Sequence, residues 1–206
     1  MTWWRVAPEW ASETAFIVAG GSSVLGQDLS LLRGHRVIVV NSSYEAAPFA
    51  DILFFGDLSW WETHRRREAL VAFAGRIVTV SLRAVGRRLL RLRRQVPPPG
   101  LSCDPCCVVS ERTSLQGAIN LAVHLGVKRI VLLGADMRRA DNGRSHHHSP
   151  HPRPNKPGNR TWDIQMAQLR LAVEPLRELG IEVINTSPIS RIDWWPRAEL
   201  AACLGQ

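Results

Sequence analysis

The sequence predicts an α/β fold, a single Rossmann-like domain with a mostly parallel sheet and helices on both faces. Three observations predict it. Short continuous apolar runs rich in Val and Ile recur along the chain, as in strands buried on both faces. Helical patterns lie between most of them. Most of the runs end in Gly, Asn, Asp or Ser, the polar strand ends where open α/β sheets bind ligands.

The elements follow in order. Residues 15–19 form a first apolar run, closed by Gly20-Gly21-Ser22-Ser23. Residues 36–41 form a second and end in Asn41; residues 52–55 form a third, before Gly56-Asp57. Residues 76–80 precede Ser81, residues 129–133 precede Gly134-Ala135-Asp136, and residues 181–185 form the sixth run. A helix is expected over 60–73, capped by Ser59 or Asp57. A second is expected over 114–125, with Leu115, Ile119, Ala122 and Val123 on one face and Gly126 as its stop. A third covers 162–179 and contains Pro175, which kinks or breaks it. The leucines of the basic segment 83–94 recur at roughly helical spacing, so a helix with arginines in solvent is expected there. A surface lying on phosphate or anionic lipid is the alternative. Residues 141–160 have no regular period, and a loop of that length inside a domain is usually functional or disordered.

Composition bounds the function. The 206 residues are 45% hydrophobic and 21% charged, a globular balance that excludes general disorder. No apolar run reaches the roughly 18 residues a membrane helix needs, and the first residues lack a signal-peptide layout, so a cytoplasmic location is expected. The formal charge is +8, and Lys128 and Lys156 are the two lysines among 26 basic residues. A basic surface favours anionic ligands: nucleotides, phosphorylated substrates or nucleic acid. Cys103, Cys106 and Cys107 crowd together, which is no disulfide framework. With histidines from the loop they form an alternative zinc set.

The strand ends supply the candidate site. Gly20, Gly21, Ser22 and Ser23 are read either as a phosphate cradle, glycines admitting the anion and hydroxyls donating to it, or as a plain strand-to-helix turn. On the cradle reading, a side chain at Gly21 blocks nucleotide while sparing the fold. Asp57 and Asp136 end strands, where an exposed carboxylate holds a sugar hydroxyl or a metal; a helix cap is the alternative for Asp57. Trp60 or Trp61 is placed to stack on a base or sugar, with core packing as the alternative. Four histidines fall in His146-His147-His148-Ser149-Pro150-His151. General base, metal ligand and solvated loop are all open for them.

Together these residues resemble the bacterial sialyltransferase-like glycosyltransferases and the motility-associated glycosyltransferase-like proteins. The 6-hydroxymethylpterin diphosphokinases are more distant likenesses. Residues 16–32 (FIVAGGSSVLGQDLSLL) and 37–44 (VIVVNSSY), residues 113–114 with 118–137 (AINLAVHLGVKRIVLLGADM), and the histidine loop carry the resemblance. It spans roughly residues 15–190. Ser22 stands where the family has proline, and Leu115 rather than glycine follows Ser114. The resemblance implies that Gly20, Gly21 and Ser23 contact a nucleotide phosphate or ribose, that Asn41 touches the donor, and that Ser114 lies at the phosphate. It implies that Asp136 lies near the ribose or sugar, and that His148 or His151 is the base; Gly134 is a candidate as part of the same strand end. The expected function is transfer of a sugar from a nucleotide-sugar donor to an acceptor hydroxyl. No cofactor is required and no metal ligand is assigned, although a divalent metal is compatible. The alternatives are diphosphate transfer to a small heterocycle, and a non-catalytic bacteriophage-encoded protein that binds nucleotide or nucleic acid through its basic surface.

Overall fold

The computed structural model describes residues 2–96, 99–148 and 158–205. In chain order the strands are β1 (Thr14–Val18), β2 (Arg36–Val40), β3 (Ile52–Phe55), β4 (Arg76–Thr79) and β5 (Leu89–Arg91), then β6 (Arg93–Gln95), β7 (Cys107–Val109), β8 (Arg129–Leu133) and β9 (Glu182–Asn185). The helices are α1 (Leu58–His64), α2 (Glu68–Val71), α3 (Ser114–His124), α4 (Asn159–Arg170) and α5 (Val173–Glu178). Seven strands make one sheet in the order β5-β4-β3-β2-β1-β8-β9, all neighbours parallel. The strands β6 and β7 form a separate parallel pair.

The apolar runs are buried on both faces because alternate residues enter two different cores. Ile17, Ile38, Phe54, Val78, Ile130 and Leu132 pack with Leu115, Ala118, Ile119 and Ala122 of α3 on one face. Phe16, Val18, Val39, Phe55 and Leu133 pack with Tyr44, Trp60, Trp61, Leu70 and Phe73 on the other. All six strands expected from the sequence are present, and α3 matches its expected span. Its cap is Thr113, whose side chain accepts from the Leu115 N–H at 3.2 Å.

Three expectations are corrected. The helix expected over 60–73 divides into α1 and α2. After Trp60, Trp61 and His64, a continuous helix would aim Arg67 and Glu68 inward; the break lets Leu70 and Phe73 bury instead. The helix expected over 162–179 divides into α4 and α5. Pro175 then falls in the first turn of α5, where its missing N–H costs nothing. The Leu171 carbonyl, four residues earlier, lies against Gly100, whose absent Cβ would sit 1.8 Å from it. The segment 83–94 is not a helix. It runs irregularly to β5 and β6, because Leu89 enters one core and Leu92 the other, which a single helical stripe cannot do.

The strand order reverses around β1. From β1 the chain winds outward through β2, β3, β4 and β5, then returns to place β8 on the other side of β1. The carboxyl ends of β1 to β4 and β8 therefore frame one crevice at this switch point.

Candidate functional site

At that edge lies an open cavity of about 800 Å³. The turn after β1 contributes Gly20 and Gly21; β2 ends on Asn41, β3 on Gly56 and Asp57, β4 on Ser81, and β8 on Gly134 and Asp136. Thr113 and Ser114 bring the N-terminus of α3 to the wall, and Trp162 comes from α4. His146 and His148 also line it. The cavity thus brings together Gly20, Gly21, Asn41, Asp57, Ser114, Gly134, Asp136 and His148. His151 lies outside the described residues.

Asp136 is not the exposed carboxylate the sequence suggested. It is 1% exposed and clamps the glycine turn. Its Oδ1 accepts from Ser23 Oγ at 2.5 Å and Ser187 Oγ at 2.7 Å. Its Oδ2 accepts from the Ser23 N–H at 2.9 Å and from Ser22 Oγ at 3.4 Å. The hydroxyls of Ser22 and Ser23, expected to donate to a phosphate, are therefore turned to Asp136, and neither residue lines the cavity.

Gly21 is corrected for the same reason. A Cβ there would sit 2.3 Å from the Gly134 carbonyl oxygen and 2.5 Å from Asp136 Cγ. The glycine permits strand-end packing, so a valine at this position strikes the fold before it strikes a ligand. Gly20 faces the histidines instead, with its Cβ position 3.3 Å from His148 Nε2 and 3.4 Å from His146 Nδ1.

Two strand ends carry strained backbone. Asn41 has φ 51° and Met137 has φ 53°, the left-handed region, which asparagine tolerates and methionine rarely enters. Both line the cavity, consistent with strain stored where a ligand binds. Asn41 Oδ1 is buried with no hydrogen-bond partner among the described residues. Buried acceptors are ordinarily paired, and this one belongs to a residue on the cavity wall.

Asp57 caps α1, accepting from the Ser59 N–H at 2.8 Å, while still lining the cavity. Trp60 and Trp61 do not stack on a ligand: both are core, packed on Phe55 with ring centroids 5.0 Å away. The tryptophan on the cavity is Trp162. The arginines on the wall are Arg83, Arg94, Arg112 and Arg138. Arg94 donates to the Gly56 carbonyl at 2.9 Å. The Arg112 segment is held on α4 by Gln165, which donates to the Arg112 carbonyl, and by Gln168, which accepts from the Arg112 N–H. These four guanidinium groups stand against the carboxylates of Asp57, Glu111 and Asp136, with Glu111 paired to Arg112 at 3.5 Å. The small cationic excess and the helix N-terminus favour an anion.

The histidine run divides its labour. His146 and His148 stack at 5.0 Å, 11° from parallel, on the cavity wall. His147 points inward and is buried. Its N–H donates to the Gly20 carbonyl at 3.1 Å. The Ser43 hydroxyl donates to the Ala19 carbonyl at 3.2 Å, so its oxygen accepts from His147 Nε2–H at 2.9 Å. Sequence reading missed His147 as the anchor, because four histidines in a row give no sign of which one turns inward. Arg112, Arg138 and Met137 were also missed. Among the described residues no group of three or more His, Cys, Asp or Glu side chains converges as metal ligands.

Burial, and then neighbouring His146, push the His147 imidazole down from 6.5 to about 4. The fold therefore holds it neutral, while the unfolded chain takes up a proton below pH 6.5. This stabilisation is complete above pH 6.5 and is lost as pH falls toward 4. We expect acidification across that window to remove about 3 kcal/mol of stability. His147→Gln, which cannot titrate, should flatten the dependence in urea melts; an unchanged slope would refute the assignment.

The fold and the site define a doubly wound α/β protein with a polar, arginine-lined crevice at its switch point. No family model and no curated protein matches the chain. Among solved structures it is similar to the sialyltransferase CstII from Campylobacter jejuni in complex with a substrate analogue, cytidine-5'-monophosphate. The TM-score is 0.55 at 14% sequence identity, covering 91% of this chain and 86% of that one. What is shared at that identity is the fold. No helix among the described residues is long and apolar enough to cross a membrane.

Proposed function

We propose that the protein is a glycosyltransferase that binds a nucleotide-sugar donor in the switch-point cavity and transfers the sugar to an acceptor hydroxyl. The observation that carries this reading is the pairing of an anion-receptive wall, Arg94, Arg112 and the α3 N-terminus, with a histidine wall in the same cavity. The fold likeness to a sialyltransferase solved with cytidine-5'-monophosphate supports it. Asn41 Oδ1 accepts from a donor group of the base or ribose. His148 takes the proton from the acceptor hydroxyl as that oxygen bonds to the anomeric carbon. The bond from that carbon to the phosphate oxygen breaks, and the nucleotide leaves with the electron pair. The guanidinium groups and the helix N-terminus stabilise the charge that develops on it.

The test is thermal unfolding with cytidine-5'-monophosphate and other nucleoside phosphates. A ligand at about 100 times its Kd adds about 2.7 kcal/mol if it binds only the folded protein. We expect a nucleotide to raise the midpoint and Asn41→Ala to remove most of that rise. A panel in which no nucleotide raises the midpoint overturns the reading.

A further inference from the structure

Beside the main cavity lies a second one of about 500 Å³, walled by Arg138, Arg139, Asp141, Asn159, Trp162 and Arg191. Arg138 and Trp162 line both cavities, so the two share a wall. Its position follows from the chain path after β8. Met137 takes a left-handed backbone conformation; beyond it Arg138 stands on the shared wall and Arg139 lines the second cavity alone. The next residues close a tight turn, with the Ala140 N–H donating to the Arg144 carbonyl and the Gly143 N–H to the Ala140 carbonyl, both at 2.8 Å. Opposite, the Arg191 N–H donates to the Asp136 carbonyl at 2.9 Å, which ties that wall to the clamp beneath the main cavity. Trp162 is core, and the Arg139 guanidinium lies 5.9 Å from its ring centroid.

The charges select a ligand. Three guanidinium groups face this space against one carboxylate, Asp141. The Asp141 side chain is 95% exposed where it pairs with Arg138, and Asp163, the partner of Arg191, is 57% exposed. Ion pairs so open to water are weak and yield to a better anion. A guanidinium fork matches a carboxylate or phosphate with two parallel hydrogen bonds.

We propose that this second cavity is the acceptor subsite, and that it takes a saccharide carrying a carboxylate or a phosphate. The proposal rests on the transferase reading. The acceptor's anionic group is held by Arg139 and Arg191, while its reacting hydroxyl reaches past Arg138 and Trp162 into the donor cavity.

The experiment is calorimetry on the full chain saturated with cytidine-5'-monophosphate, titrated with glucose, glucuronate and glucose 6-phosphate. Both anions are expected to bind at least about tenfold more tightly than glucose, and their rank separates a carboxylate acceptor from a phosphorylated one. The double variant Arg139→Gln/Arg191→Gln should weaken the anions about tenfold while nucleotide affinity and melting midpoint stay unchanged. Glucose binding as tightly as the anions, or anions binding the double variant undiminished, overturns the proposal. Failure of the nucleotide to bind overturns the donor reading separately, because the double variant still reports whether the second cavity holds an anion.

Discussion

Replacing His148 by alanine is expected to slow sugar transfer by roughly 10²–10⁴-fold and to leave nucleotide affinity nearly unchanged. The expectation follows from where the ring sits. His148 lines the donor cavity, its Nε2 lies over Gly20, and its plane is held by stacking on His146 and by an edge contact with His147 at 5.2 Å. It is thus positioned without being buried in the core, as a group that must meet an acceptor requires. Measuring kcat and nucleotide Kd on the same preparations separates chemistry from binding. A variant with full turnover would remove His148 from the mechanism, and an equal loss on replacing His146 would make the stacked pair the working unit.

The second large effect is on stability. Asp136→Ala should cost roughly 3–4 kcal/mol, because it leaves the Ser22, Ser23 and Ser187 donors without their buried acceptor. For a chain of this length that corresponds to a fall of about 10 °C in Tm. Asp136→Asn keeps one acceptor oxygen but turns an amide toward the Ser23 N–H, so it should fall between the two. If Asp136→Ala melted with the parent protein while losing nucleotide, the residue would be a ligand contact and not a clamp.

The strands were legible because their Val and Ile runs must be buried on both faces, and no other assignment does that as simply. What hid β5 and β6 was brevity: three residues each, interrupted by arginines that a helix pattern accommodates equally well. The break between α4 and α5 was half visible in Pro175, but not the neighbouring Gly100 that receives the Leu171 carbonyl. In the site, strand ends alone pointed to Gly20, Asn41, Gly134 and Asp136. The relation between Ser23 and Asp136 was hidden because it joins positions 113 residues apart. Only the folded chain shows that the two consume one another's hydrogen-bonding capacity. The same holds for Ser43 and His147, 104 residues apart.

The central place of β1 also bears on synthesis. β1 pairs with β2 and with β8, yet β8 is made long after β2. A growing chain that has folded β1 to β5 presents the far edge of β1 as an open row of N–H and C=O groups. Such an edge recruits other strands until its partner arrives. Asp136, which follows β8 directly, meets Ser22 and Ser23 at that stage, and Ser187 completes the clamp only after β9. Premature termination before β8 therefore yields an aggregation-prone fragment in addition to a chain without the clamp.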